Sequence, residues 1–223
     1  MIFKKIITLK KQDIWDAENI YHLKTGNERI SKLLYHYDIY KKILNLDGEV
    51  IECGVFKGIS LARFLTFRNY LESQNTRKIY AFDVFGKFPK PNNKFDRRFL
   101  KAWEKDAGDG ISNKVLNQLL KKKNFYNYKL IKGQVQKTIP KFIKENPKLK
   151  ISLLHLDMDI YEPTKFVLNN LYSKVVRGGI ILIDDYKTVH GATKAVNEFL
   201  KKNIRLKIKK LNHKSVPWFI VKK

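Results

Sequence analysis

Residues 151–162 read Ile-Ser-Leu-Leu-His-Leu-Asp-Met-Asp-Ile-Tyr-Glu. The short apolar run reads as a buried strand, and it ends on carboxylates. Outward from it, the same grammar recurs. Ile180 to Asp184 follows an Arg177-Gly-Gly179 turn and ends on a second acid pair, Asp184-Asp185. Upstream, Val50 to Gly54, Lys78 to Asp83 and Tyr128 to Lys132 read as three more strands. Helical spacing fills the gaps at 59–74, 113–124, after Pro140, from Pro163 to Val176, and at 191–202. Ile204 to Leu211 and Trp218 to Val221 read as two closing strands in an antiparallel hairpin. The alternation predicts an α/β fold: a mostly parallel seven-stranded sheet, antiparallel at its end, with helices on both faces. In such a sheet the ligand binds beyond the carboxyl ends of the strands. Glu52, Asp83, Asp157 and Asp184 all fall at those ends.

The chain has 223 residues, enough for one α/β domain with a sizeable core. Residues 1–47 read as a helical segment, serving as a lid or as a contact in a homo-oligomer, and 48–223 as the catalytic domain. Residues 86–112 hold Gly86, Pro89, Pro91, Gly108 and Gly110, and read as a lid or a short helical insertion. The net charge is +25, from 46 Lys+Arg against 21 Asp+Glu. Such a field suits a polyanion, but the lysines are scattered over the whole length with no separate basic arm, which favours a Lys-rich composition over a nucleic-acid partner. The single cysteine, Cys53, excludes an intrachain disulfide and reads as a small core residue. No apolar stretch approaches the ~20 residues of a membrane span, and the N-terminus lacks a signal-peptide pattern, so a cytoplasmic protein is expected.

Four motifs carry chemistry. Glu52-Cys-Gly54-Val55-Phe56-Lys-Gly58-Ile-Ser60 is a strand–turn–helix with an acid where a dinucleotide fingerprint needs glycine. An acid among glycines suits a cationic, hydroxyl-bearing ligand such as S-adenosylmethionine. Asp83 is placed to accept ribose hydroxyls, or else caps a helix. Gly133-Gln134-Val135-Gln136 either frames an adenine edge or is a plain turn. Asp157, Asp159, Asp184 and Asp185 would converge at neighbouring strand ends, where uncompensated like charge is costly. A divalent cation is the simplest remedy. Hard oxygen donors favour Mg2+, with Mn2+ or Ca2+ as alternatives. The other remedy is neutralisation by Lys or Arg. A metal there would hold two adjacent hydroxyls, with Asp157 as ligand and proton acceptor. Tyr161, Tyr186, His190 and His213 are candidate substrate contacts. His155, inside an apolar strand, reads as a core histidine.

In order along the chain, Glu52-x-Gly54-x-x-x-Gly58-x-Ser60, Phe82-Asp83-x-Phe85, Lys132-Gly133, Thr138-Ile-Pro140, Leu156-Asp157-x-Asp159-x-Tyr161-Glu162-x-Thr164, Gly178-Gly179 and Ile183-Asp184-Asp185-Tyr186 resemble the macrocin O-methyltransferase (TylF-type) family. A more distant likeness is to catechol O-methyltransferase, whose catalytic lysine is replaced here by Ile160. The resemblance implies a Rossmann-like class I methyltransferase fold and a methyl group moved from S-adenosylmethionine to a sugar hydroxyl of a vicinal diol, in a nucleotide-sugar, glycan or natural product. It implies Asp157, Asp184 and Asp185 as metal ligands, with Asp157 as base. It implies Glu52, Gly54, Ser60, Asp83 and the 133–136 segment as cofactor contacts, to which the first turn adds Val55, Phe56 and Gly58. The positive charge leaves an RNA or DNA methyltransferase as the alternative, although the N/D-P-P-Y/F motif of base amino-group methylation is absent after the fourth strand.

Overall fold

The computed structural model describes residues 8–212 and 217–223. His213 lies outside the described residues. Two helices open the chain, α1 (Lys11–Lys24) and α2 (Asn27–Lys41). Then follow β1 (Glu49–Cys53), α3 (Ile59–Leu71), β2 (Ile79–Asp83), α4 (Lys94–Ala107), α5 (Asn113–Lys122), β3 (Tyr128–Lys132), α6 (Val135–Glu145), β4 (Ile151–Leu156), α7 (Tyr161–Leu171), β5 (Val175–Ile183), α8 (His190–Lys202), β6 (Ile208–Lys209) and β7 (Trp218–Val221). The sheet order is β3-β2-β1-β4-β5-β7-β6. β1 to β5 are parallel, and β7 runs antiparallel between β5 and β6. The expected fold class holds. The strand order reverses between β1 and β4, and this is where an open sheet leaves a crevice.

Side-chain alternation along the strands divides the core in two. Val50, Ala81, Leu153 and Leu182 face α2, α3 and α5. Ile51, Cys53, Phe82, Leu154 and Ile181 face α6, α7 and α8. Cys53 is buried, as the sequence implies. The helical first segment is not uniform. α1 buries no residue, whereas α2 buries Tyr35, His36, Ile39 and Tyr40 against the sheet side of α3.

Four local expectations change. The Arg177-Gly-Gly179 turn is part of β5, where it forms an irregularity against β4. Gly178 takes φ +80°, and Gly178 N–H and Gly179 C=O bond the backbone of Lys222, so pairing with the last strand keeps the segment in the sheet. Pro140 lies inside α6 rather than before it. The bond it forfeits is to the carbonyl of Gln136, an exposed residue that water can serve. The helix after β4 ends at Leu171, and a 3-10 turn at Tyr172–Lys174 leads into β5. The 86–112 segment contains a full helix, α4, started by an Asn93 cap that accepts from Asp96 N–H. Among the described residues, no helix is long and apolar enough to cross a membrane.

Candidate active site

A cleft of about 1000 Å3 opens over the carboxyl ends of β1, β2, β4 and β5. Its floor is the β1–α3 turn. Gly54 has φ +91°, and a Cβ there would lie 1.9 Å from the Asp157 carbonyl oxygen, so only glycine lets this turn close against β4. Asp83 holds the turn: its Oδ2 accepts from Val55 N–H (2.7 Å) and Phe56 N–H (3.0 Å), and its Oδ1 from Phe85 N–H (2.6 Å). Phe56 sits at φ 50°, a left-handed conformation that is strained for a bulky residue.

Of the residues expected to hold a cofactor, Gly54, Val55, Phe56, Ser60, Asp83, Gly133, Gln134 and Val135 line the cleft. Gly58 and Glu52 are not on its wall. Gly58 starts α3 at φ +85° with Leu116 packed over it. Glu52 is fully buried beneath the turn, where parallel register sets it beside His155 on the α2/α3 face of the sheet. Its Oε1 lies 3.2 Å from His155 Nδ1. His155 is therefore a core histidine, as expected, but a charged one: burial opposes protonation, yet Asp184 and Glu52 outweigh it and raise the pKa to about 9. His36 of α2 packs edge-on against it, and burial pushes His36 down to about 3.

The carboxylates of Asp157, Asp184 and Asp185 converge, each offering an oxygen within 4.8 Å of the others. Asp159 joins them on the cleft wall at φ 62°, its N–H 3.2 Å from Asp185 Oδ2. The cluster is only partly compensated. Lys32 of α2 reaches in from 125 residues upstream of Asp157 in sequence, bonding Asp184 Oδ2 and standing 3.8 Å from Asp157 Oδ2. Burial first, then their mutual repulsion, raises Asp157 to about 6 and lifts Asp159 and Asp185 well above the usual range. Asp184 goes the other way: burial raises it, but Lys32 and the histidines dominate and hold it well below. The Lys32 ammonium and the His155 imidazolium, whose Nε2 is 3.9 Å from Asp184 Oδ1, leave the four acids incompletely neutralised, and among the described residues buried Asp184 Oδ1 has no hydrogen-bond partner. This all-oxygen set suits a hard divalent cation.

The candidate substrate contacts lie apart from the cleft wall. Tyr161 donates its hydroxyl to Glu198 and receives Lys165. Tyr186 is buried, bonded to Asn197 and packed on Trp218. His190 stacks near Phe95 at the start of α8. Each follows an acid motif in sequence, but the chain enters a helix at Tyr161 and His190 and a turn at Tyr186, and this carries the side chain off the strand end. Lys32, Asp159 and the α4 residues Phe99 and Trp103 take their place on the wall. Asp159 carried a motif signal. Lys32 carried none, because its role depends on a contact 152 residues away.

Comparison with known proteins places this geometry. Demethyldecarbamoylnovobiocin O-methyltransferase of Streptomyces niveus is 28% identical over 167 residues, 71% of this chain and 60% of that protein. A tetracenomycin-pathway 8-demethyl-8-(2,3-dimethoxy-alpha-L-rhamnosyl)-tetracenomycin-C 4'-O-methyltransferase of Streptomyces olivaceus is 26% identical over 191 residues, 82% of this chain and 69% of that one. The crystal structure of CalS11, a calicheamicin methyltransferase, superposes with a TM-score of 0.73 at 24% identity, covering 98% of this chain and 89% of its own, and so shares the fold. The macrocin-O-methyltransferase (TylF) family model matches residues 5–219, nearly the whole sequence, and on that extent the chain belongs to the TylF family of O-methyltransferases.

Proposed function

We propose that the protein is an S-adenosylmethionine-dependent O-methyltransferase whose acceptor is a hydroxyl of a vicinal diol on a sugar. Family membership and the sugar-modifying names of its relatives support the reaction class. The observation that carries the diol reading is the convergence of Asp157, Asp184 and Asp185 on the cleft wall, next to the turn at Gly54. These residues would hold Mg2+, with Mn2+ as the next choice. Such an ion supplies Lewis-acid polarisation of an acceptor hydroxyl.

The rest of the work belongs to the chain. Asp83 fixes the β1–α3 turn, so that the cofactor meets a preset surface at Val55, Phe56 and Ser60. Gln134 and Val135 form the opposite wall, at the start of α6. Alignment of methyl, sulfur and acceptor oxygen is the main source of rate in such a displacement. A carboxylate must take the hydroxyl proton, and two are placed to do so. Asp157 is the first, but as a metal ligand it would be a weaker base. Asp159 is next to it on the cleft wall, makes no side-chain hydrogen bond among the described residues, and is held above the usual carboxylate range by burial and by its acidic neighbours. We assign the proton to this pair.

A second reading rests on Lys32, which already places a cation on Asp184. In it the ammonium replaces the metal in fixing the acceptor oxygen. The test is methyl transfer to a panel of 6-deoxyhexosides, following S-adenosylhomocysteine release, with and without chelator. Loss of turnover on chelation, restored by Mg2+, supports the metal. Full activity in chelator that is lost in Lys32→Met supports the ammonium. No transfer to any glycoside, alongside transfer to RNA, refutes the sugar reading.

A further inference from the structure

Two arginines on the cleft wall are ion-paired with no acid among the described residues. Arg29 of α2 and Arg63 of α3 both line the cavity, and among the described residues neither forms an ion pair. Arg63 is half-buried. Burial pulls its pKa down, the neighbouring Arg29 acts in the same direction, and Tyr21 and Asp184 act against them. Desolvating a guanidinium without a counter-ion is unfavourable, and placing a second one nearby adds repulsion. Beside Arg63, on the same wall, is the buried Tyr21 hydroxyl, which leans on the Arg63 guanidinium and makes no well-formed hydrogen bond among the described residues. Two guanidiniums and a hydroxyl on three helices therefore face one space with no ion-paired acid among the described residues.

Their position is informative. Arg29 is one helical turn before Lys32, whose ammonium touches the acid cluster. Arg63 is one turn beyond Ser60, which belongs to the cofactor turn. These donors thus stand beside both the acids and the cofactor loop. The planar fork of arginine matches carboxylate and phosphate oxygens two at a time. The cleft is at the upper end of the ~300–1,000 Å3 typical of ligand pockets, with room for more than one ligand.

We propose that Tyr21, Arg29 and Arg63 form an oxyanion-binding subsite that bridges the N-terminal helices to α3. It rests on the reading of this cleft as the site of methyl transfer. Two ligands carry the required chemistry: the amino-acid carboxylate of the cofactor, and a phosphate on the acceptor's carrier. Both present paired oxygens to the same fork.

The test uses calorimetry on the intact protein in metal-free buffer. S-adenosylhomocysteine, 5'-methylthioadenosine (the same thioether nucleoside with a methyl in place of the amino-acid chain, so without its carboxylate) and inorganic pyrophosphate added over S-adenosylhomocysteine are titrated into wild type, Arg29→Met and Arg63→Met. Methionine keeps the apolar stem. At least a tenfold loss for one anionic probe is expected, with methylthioadenosine affinity unchanged, which also shows that the cavity is folded. Loss for S-adenosylhomocysteine identifies the cofactor carboxylate as the anion. Loss for pyrophosphate alone identifies an acceptor phosphate. The subsite is overturned if S-adenosylhomocysteine is held within twofold while pyrophosphate is unaffected or not bound by wild type, and equally if the loss extends to methylthioadenosine. If wild type binds neither nucleoside, the methyl-transfer reading itself fails.

Discussion

Two sets of acids stand at strand ends in this protein, and they differ in what surrounds them. After β1 and β2, each acid has a dedicated partner: the His155 imidazolium meets Glu52 Oε1, with Oε2 buried and unpartnered among the described residues, and three backbone N–H groups meet Asp83. After β4 and β5, four aspartates share one lysine and the far edge of the His155 ring, both directed at Asp184, and the other three are pushed up in pKa. An answered carboxylate is part of the scaffold. An under-compensated one keeps its lone pairs for a ligand, at a cost to the unliganded fold. The sequence pattern is the same in both places, an apolar run ending on an acid; only the neighbours differ.

The difference has measurable consequences. The largest is expected at Asp157. Asp157→Asn should lower turnover at least ~10^3-fold, about 4 kcal/mol, while S-adenosylhomocysteine affinity stays within about threefold. Because a like charge is removed, calorimetry on the metal-free variant should show an unchanged or higher Tm. A clear fall in Tm would mean that this acid is scaffold after all. Mg2+ should raise the Tm of wild type and leave that of Asp157→Asn unmoved.

Glu52→Gln should do the reverse. It leaves His155 charged and buried without its partner, and breaking such a pair costs roughly 3 kcal/mol or more. Urea unfolding should show that loss, with cofactor affinity in the folded variant nearly intact, since Glu52 is off the cleft wall. A tenfold loss of S-adenosylhomocysteine affinity with stability unchanged would return Glu52 to the binding site. Asp83→Asn is intermediate. It weakens charge-assisted bonds to the turn, about 2 kcal/mol, and should reduce both stability and cofactor affinity, because the turn it holds is also the binding surface.

The smallest effect is that of pH on the metal-free protein. His155 is raised from 6.5 to about 9 in the fold. Its protonation therefore stabilises fully below pH 6.5, and that contribution is lost as pH rises through 9. Asp157, raised to about 6, has the same sign: stability is lost as pH climbs from 3.8 through 6. Between pH 6 and 8 the histidine contribution should fall by on the order of 1–2 kcal/mol. Urea midpoints should drop accordingly, and the histidine part of the drop should vanish in His155→Gln. Midpoints that rise with pH in this window would contradict the charged Glu52–His155 pair.

Much of the site was legible in the sequence. Asp157, Asp184 and Asp185 meet because a parallel sheet gathers strand ends on one edge, and apolar runs of five or six residues mark those ends without ambiguity. The close turn at Gly54 was legible too, since a glycine directly after a strand signals a sharp turn. Tyr161, Tyr186 and His190 were placed near the chemistry by sequence distance alone, and the helices starting at Tyr161 and His190 and the turn at Tyr186 take them elsewhere. The helical reading of the first segment holds over Lys11–Lys24 and Asn27–Lys41, but periodicity could not separate α1 from α2. Ile14, Trp15, Ile20 and Leu23 of α1 remain exposed, while Tyr35, Ile39 and Tyr40 of α2 are in the core.

By itself, then, the sequence determined the sheet, its layering and the edge where the acids gather, because side-chain period and strand-end position are local properties of the chain. Only the tertiary structure decided which acids are answered. Lys32 on Asp184, His155 beside Glu52 and the meeting of Arg29 and Arg63 on the cleft wall all depend on helices from elsewhere in the chain packing over strand ends. Charge compensation is set by distances of a few ångströms through space, and residue order does not record them.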